Sequence, residues 1–428
     1  MESLISQRES FNGEIRSRTA DGAANEATAR PSESAGLRED MAAPRRLVIL
    51  GATGSIGRSC AQVLAGSPGR FHVAAVAGGR DGAALARAAI ALKAPFAAIA
   101  DVSGYAELKA GAAGQAIEVA AGPDAVVEAA LRKADLVVAA IAGTAGLAPT
   151  YAAIEAGRAV ALANKETLVC AGHAVMEAAR RSGARILPLD SEHNAIFQAM
   201  GGCDPGQIVK MILTASGGPF REWSAERIRS ATVSQALAHP NWAMGAKVTI
   251  DSASLMNKGL ELIEAHHLFG MPADRLEVLI HPQSVVHGMI AFADGSVTAG
   301  MAAPDMKTPI AHCLAYPERM QSGARTLDLA AVGQLTFERP DLARFPALAL
   351  AIGALGAGGA AATALNAANE IAVEAFLGKR IGFSEMAWLV ETVLDQAGRA
   401  GELSACAGVA QALGVHHIAR NRALALLA

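Results

Sequence analysis

Six short apolar runs, separated by alanine-rich stretches, constrain this chain more than any other feature. They span residues 47–50, 73–77, 97–100, 136–142, 159–163 and 186–189. Each is continuous rather than alternating, the pattern of a strand covered on both faces. The intervening segments 59–65, 83–92, 123–132 and 171–182 read as helices. Strands alternating with helices in this way build a parallel sheet with helices on both sides, an α/β, doubly wound, Rossmann-like architecture.

After Asn194 the texture changes. Residues 209–214, 247–250 and 276–280 read as strands, and 285–292 and 296–301 flank Asp294-Gly295, a tight hairpin turn. This predicts a central α/β domain built on a mostly antiparallel or mixed sheet. Pro304, Pro309, Pro317, Pro340 and Pro346 punctuate a connecting region, beyond which 347–355, 360–377, 384–397 and a segment after Glu402 read as a C-terminal helical bundle. The expected division is a tail over 1–43, a cofactor domain over 44–190 and a catalytic domain with a lid over 191–315. A connection over 316–345 and a helical domain over 346–428 complete it.

A chain of 428 residues can hold two or three such domains. Its net charge of −3 offers no surface for nucleic acid. No apolar stretch reaches the roughly 18 residues of a membrane span. Cys60, Cys170, Cys203, Cys313 and Cys406 are scattered, which argues against a zinc ribbon or disulfide framework and for a reducing, cytoplasmic compartment. Residues 1–40 are rich in Arg, Glu, Ser and Ala, lack hydrophobic periodicity, and are expected to be a disordered tail.

The first strand runs into Gly51-Ala52-Thr53-Gly54-Ser55-Ile56-Gly57. Glycines at such a strand–helix junction let the backbone approach a pyrophosphate resting on the helix start. About twenty residues on, Gly78-Gly79-Arg80-Asp81 follows the second strand, where an acidic residue would select NAD. Arg80 instead suits a 2′-phosphate and favours NADP, while Asp81 could cap a helix or take the ribose.

Chemistry clusters further on. Ala163-Asn164-Lys165-Glu166 ends the fifth strand, at the sheet edge where open α/β folds bind ligands. Leu187-Pro188-Leu189-Asp190-Ser191-Glu192 turns an apolar run into paired acids. On an extended strand end Asp190 and Glu192 would point the same way, an oxygen site for Mg²⁺ or Mn²⁺. In Asn257-Lys258-Gly259-Leu260-Glu261, Lys258 and Glu261 would share a helix face. Asn257, Lys258 and Ser252 suit an anion, and Glu261 could supply a third carboxylate, although the same spacing fits a capped helix with an ordinary Lys–Glu pair. Ser216-Gly217-Gly218-Pro219 and His239-Pro240-Asn241-Trp242 through Met244-Gly245 resemble hinges around a lid. His287 faces the site or fills the core, and His266-His267 reads as structural.

Taken with 280–286, 304–312 and 365–370, these segments resemble the 1-deoxy-D-xylulose 5-phosphate reductoisomerase family from Arg46 to about Leu394. The resemblance implies conversion of 1-deoxy-D-xylulose 5-phosphate to 2-C-methyl-D-erythritol 4-phosphate, a committed step of the non-mevalonate isoprenoid route. It implies NADPH, a divalent cation (Mg²⁺ or Mn²⁺, with Co²⁺ as an alternative) and a homodimer. The implied order is retro-aldol cleavage, re-aldol joining and hydride transfer. By the same resemblance Asp190, Glu192 and Glu261 hold the metal, and Ser216, Ser252, Asn257 and Lys258 hold the substrate phosphate. His239 and Trp242 close the lid, and Ser191 and Lys165 bond substrate hydroxyls. Thr53, Gly54, Ser55, Ile56, Gly78, Gly79, Arg80, Asn164, Glu166 and Gly245 contact NADPH. Many relatives carry Lys-Asn where this chain has Gly79-Arg80. Rival readings are a metal-free NADP-dependent semialdehyde or hydroxy-acid dehydrogenase and an NADP-sensing regulatory protein; both leave the three carboxylates unexplained.

Overall fold

The computed structural model describes residues 43–428 apart from Ala243, so the tail expected over 1–40 lies outside the described residues. Seven strands form the first sheet: β1 (Arg45–Leu50), β2 (Phe71–Gly78), β3 (Phe96–Ile99), β4 (Glu118–Ala121), β5 (Leu136–Ala139), β6 (Ala159–Leu162) and β7 (Ile186–Pro188). All pair in parallel in the order β4-β3-β2-β1-β5-β6-β7. The chain winds outward from β1 in one direction and from β5 in the other, so the order reverses between them. That switch point leaves a crevice at the carboxyl ends of β1 and β5. The apolar runs Leu47–Leu50 of β1 and Leu136–Ala139 of β5 are wholly buried, as a strand covered on both faces requires. Edge strand β4 is only half-buried, which is why it lacks a clear apolar signature.

The second sheet contains β8 (Ile208–Ala215), β9 (Leu276–Ile280), β10 (Val286–Phe292) and β11 (Val297–Met301), in the order β11-β10-β8-β9. Of the two forms expected, mostly antiparallel or mixed, the sheet is mixed. The β10–β11 hairpin and the β10–β8 pair are antiparallel, but β8 and β9 run parallel. A tight turn forces antiparallel pairing only on the strands it joins. About sixty residues of helical crossover separate β8 from β9, ample for a parallel connection.

Helix Ser191–Met200 lies flat on β10 and β11 because Gly288 and Gly300 have no side chain to keep it away. A Cβ at Gly288 would come within 2.9 Å of the Glu192 carbonyl oxygen, and one at Gly300 within 2.8 Å of the Ala195 carbonyl oxygen. The segment 247–250 is not the expected strand but part of helix Ala246–Ala253, with Thr249, Ile250, Asp251 and Ala253 buried. Three of its four residues (Val248, Thr249, Ile250) are β-branched, but tertiary packing overrides their strand propensity. Helix Glu166–Ser182 begins five residues before expectation, and Ala171 departs from helical angles inside it (φ −138°, ψ 28°). The expected start at residue 171 coincides with that kink.

Helices Pro346–Ala357, Ala361–Leu377, Phe383–Arg399 and Val409–Leu426 form the helical C-terminal region. Ala361–Leu377 packs against Phe383–Arg399, Val409–Leu426 and helix Glu166–Ser182. Among the described residues no helix is long and apolar enough to cross a membrane.

Candidate active site

Loops from the carboxyl edge of the first sheet meet the segment joining β8 to helix Met256–Phe269 around one cavity of about 500 Å³. On one wall lie Gly51, Thr53, Gly54, Ser55, Ile56 and Ser59 after β1, Gly79 after β2, and Ala140, Ile141 and Ala142 after β5. Gly51 has φ +87°, and a Cβ there would collide with the Ala140 carbonyl across the switch point. No side chain caps helix Ser55–Ala65, whose start therefore keeps backbone N–H groups for an anion. Asp81 caps helix Gly82–Ala91 by accepting from the Ala84 N–H at 2.7 Å, the first of its two sequence readings. Arg80 is 84% exposed, 3.5 Å from Asp101; it, Gly78 and Asn164 adjoin the cavity without lining it.

The opposite wall carries the charges. Asp190 precedes helix Ser191–Met200 and Glu192 sits in its first turn. The extended i, i+2 geometry expected for this pair is therefore incorrect; tertiary packing brings the acids together. Lys165 Nζ lies 2.7 Å from Asp190 Oδ2 and 2.9 Å from Glu261 Oε1. Lys258 Nζ lies 2.7 Å from Glu192 Oε1 and 2.5 Å from Glu261 Oε2. Asn257 Nδ2 donates to Glu261 Oε1 at 2.6 Å. Two ammonium groups thus thread three carboxylates. The Lys258–Glu261 pair is 4% and 2% exposed, so it is no solvated surface pair.

Burial alone would depress both lysine pKa values. The carboxylates outweigh it: Asp190 and Glu261 raise Lys165, while Glu192 and Glu261 raise Lys258. Glu192 is pulled well below the carboxylate range against its burial, by Lys258 and His287. Asp190 moves upward, through burial and the neighbouring Glu261 charge.

Behind this layer sit two residues the sequence reading passed over. His193 Nε2 donates to the Glu261 carbonyl at 2.9 Å, so in the neutral ring Nδ1 presents a lone pair, 3.4 Å from Glu264 Oε2. Asp190 Oδ2, His193 Nδ1 and Glu264 Oε2 all lack a well-directed hydrogen bond; the Lys165–Asp190 contact is close but off-axis. Ligand atoms of these three residues lie within 4.8 Å of one another. Burial and the Asp190 charge push the Glu264 carboxyl well up. With Glu264 pushed toward its neutral form, the three carboxylates of Asp190, Glu192 and Glu261 against two ammoniums still leave the cluster short of positive charge. An all-oxygen donor set with this deficit fits one hard divalent cation, and Asp190, Glu192 and Glu261 are the acids that line the cavity.

His239, Trp242, Met244 and Gly245, from the segment expected to be a lid, line the same cavity. His239 Nδ1 accepts the N–H groups of Asn241 (3.2 Å) and Trp242 (2.9 Å), which leaves its proton on Nε2, 3.0 Å from Ser216 Oγ. Asn241 Nδ2 donates to the Pro282 carbonyl and to Ser284 Oγ, both at 2.9 Å. Trp242 stands edge-on to His287 with centroids 6.1 Å apart. His287 is buried with Nδ1 3.1 Å from Ser191 Oγ, so it backs the site instead of merely filling the core. Ser216, Ser252, Asn257 and Lys258 line the cavity together.

A sequence model of 1-deoxy-D-xylulose 5-phosphate reductoisomerase matches residues 47–172, and models of its C-terminal domains match 186–269 and 301–422. The reductoisomerase of Bradyrhizobium diazoefficiens is 53% identical over 91% of this chain and 97% of its own length, and that of Afipia carboxidovorans is 55% identical over 90% and 94%. This chain belongs to the 1-deoxy-D-xylulose 5-phosphate reductoisomerase family. The solved reductoisomerase of Zymomonas mobilis, in complex with NADPH, superposes with a TM-score of 0.84 at 47% identity, covering 90% of this chain and 99% of that one. A DOX-P reductoisomerase in complex with NADPH, fosmidomycin and magnesium superposes at 0.86 with 43% identity, over 90% and 98%. The resemblance read from the motifs is borne out across nearly all of residues 43–428.

Other cavity-lining residues of this reductoisomerase-family chain escaped the sequence reading as site residues, among them Ser59, Met244, Lys247, Asp251 and Met306. Met244 stands beside Gly245, Lys247 and Asp251 adjoin quoted motifs, and Met306 lies within 304–312, a segment of the family resemblance to which no site role was attached.

Proposed function

We propose that this protein converts 1-deoxy-D-xylulose 5-phosphate to 2-C-methyl-D-erythritol 4-phosphate, using NADPH and a divalent cation. The observation that carries the reading is a single cavity holding a glycine-rich helix start on one wall and a charge-deficient carboxylate cluster on the other. When bound, the cation supplies Lewis-acid polarisation of a carbonyl and NADPH supplies a hydride. Asp190, Glu192 and Glu261 are the residues to hold the cation. Thr53, Gly54, Ser55, Ile56, Gly78, Gly79, Asn164, Glu166 and Gly245 cradle NADPH, with Arg80 on its 2′-phosphate.

The chain's own groups do the rest. Lys165 and Ser191, beside the acids, orient substrate hydroxyls and keep reacting atoms in register. Ser216, Ser252, Asn257 and Lys258 grip the phosphate. Asn257 and Lys258 also bond Glu261, so phosphate recognition and metal ligation share one helix start. His239 links Ser216 to the lid, and Trp242 closes it and excludes water, holding cleavage fragments in place.

The division at 44–190, 191–315, 316–345 and 346–428 assigns these tasks to cofactor, catalytic, connecting and helical segments. We also propose a cytoplasmic homodimer. The outer edge of β11 carries exposed Val297 and Met301, an edge suited to pairing with a second copy; sedimentation would test this. The function itself is tested by loss of NADPH absorbance on adding the pentulose phosphate. Turnover should stop with chelator and return with Mg²⁺ or Mn²⁺. Metal-independent turnover of a hydroxy acid or semialdehyde would establish the rival dehydrogenase reading.

A further inference from the structure

Lys247 belongs to neither the carboxylate cluster nor the phosphate grip, yet it is deeply engaged. It is the second residue of helix Ala246–Ala253, immediately past the lid's terminal Gly245. Its Nζ lies 2.7 Å from Glu166 Oε1 and 3.2 Å from Asp251 Oδ2, carboxylates only 6% and 2% exposed. The other oxygen of Glu166 accepts from Asn164 Nδ2 at 3.0 Å, and Asn164 in turn donates to the Gly143 carbonyl in the loop after β5. The other oxygen of Asp251 accepts from Asn369 Nδ2 at 2.7 Å, which anchors the lysine's own helix to helix Ala361–Leu377. Burial would raise the Glu166 carboxyl, but Lys247 holds it below its ordinary value, so the two groups face each other as ions.

We infer that Lys247 is a positioning residue that couples NADPH binding to closure of the lid. Glu166 and Asn164 sit where the proposed function places NADPH, and the lid covers the proposed phosphate grip; the inference rests on that reading. The Lys247–Glu166 pair joins the lid's hinge to the cofactor wall. A cofactor that settles Glu166 therefore settles the start of helix Ala246–Ala253, and a lid ligand that orders this helix start returns the effect to Glu166. Such coupling is reciprocal: each ligand must strengthen the other by the same factor.

The test measures NADPH affinity of the full chain with Mg²⁺, with and without saturating fosmidomycin, and fosmidomycin affinity with and without NADPH. The parent should show each ligand tightening the other about tenfold, within the ordinary range of coupling. In Lys247→Met each ligand alone should bind within roughly threefold of the parent, while the coupling factor falls to near one. Lys247→Arg, which keeps the charge, should retain most of it; a residue needed only for folding would not return the coupling factor selectively. Should Lys247→Met fail to fold because two buried acids lose their partner, Lys247→Met/Asp251→Asn preserves the local net charge and is read the same way. Undiminished coupling in the folded variant, or none in the parent, overturns the inference alone. A parent that binds neither ligand overturns the functional reading and this inference with it.

Discussion

Replacing Glu261 with glutamine tests whether three acids distant in sequence form one cation site. Glu261 is 2% exposed and receives Lys165 at 2.9 Å, Lys258 at 2.5 Å and Asn257 at 2.6 Å. Removing one partner of a buried ion pair costs about 3–5 kcal/mol when the survivor is stranded. Here neither survivor is stranded, since Lys165 keeps Asp190 and Lys258 keeps Glu192, each at 2.7 Å. Repulsion on Asp190 and Glu264 also eases. The fold of Glu261→Gln should therefore lose less than about 2 kcal/mol. Losing a charged donor should instead weaken the cation by about 1.5–3 kcal/mol, roughly ten- to hundredfold. Equilibrium dialysis of Mn²⁺ against parent and variant, read beside NADPH affinity and urea unfolding, separates the terms. NADPH affinity in the absence of metal should stay near the parental value. A Mn²⁺ midpoint equal to the parent's would remove Glu261 from the site and leave the Lys258–Glu261 pair as packing.

Arg80→Ala should weaken NADPH about ten- to hundredfold while leaving NADH nearly unchanged; its 84% exposure means thermal stability should hold, and equal weakening of both cofactors would relocate the 2′-phosphate contact. Trp242→Ala should lower turnover with little loss of stability, whereas a core tryptophan would cost about 3–5 kcal/mol; melting beside steady-state kinetics distinguishes them. Burial holds the His239 imidazole below its ordinary 6.5, and only the neutral ring can accept the Asn241 and Trp242 N–H groups. Because the folded value is the lower one, this contribution to stability is complete above 6.5 and is lost as pH falls toward the folded value. KM for the substrate should rise on acidification through that window, and His239→Gln should flatten the rise; an identical pH profile in the variant would exclude His239 as its source.

Much of this was legible in the residues, for reasons that differ by element. Strands β1, β2 and β5 announce themselves because burial on both faces demands unbroken apolar runs, and the glycine loop is legible because the Gly51 backbone conformation and its close approach to Ala140 admit no side chain. The pairing of β8 with β9 was not legible: a crossover of about sixty residues leaves strand direction open. Nor was the geometry of Asp190 and Glu192. Their neighbours suggested a strand end, yet Gly288 and Gly300, about a hundred residues on, let a helix start there by allowing it to lie against the sheet.

The residues hardest to read were those whose role is set by charge across the fold. His193 and Glu264 look like ordinary helical residues, and only the assembled cluster shows that their polar atoms face other acids without a donor. Lys247 looked like the edge of a four-residue strand, but its ammonium lies between acids from the start of helix Glu166–Ser182 and from its own helix. In both places burial makes an unpaired ion costly, so each charge must be answered by one from another element. Local patterns of period 2 or 3.6 carry no trace of such an answer, because it depends on packing between segments some 60 to 80 residues apart. The same dependence makes these groups informative once the fold is known. Lys247 ends on acids that are already satisfied on their far sides, by Asn164 and by Asn369. Behind Lys165 the account stays open, since Asp190 Oδ2, His193 Nδ1 and Glu264 Oε2 remain without a well-directed hydrogen bond. A closed pair of the first kind transmits position, whereas an open cluster of the second kind still has room for a cation.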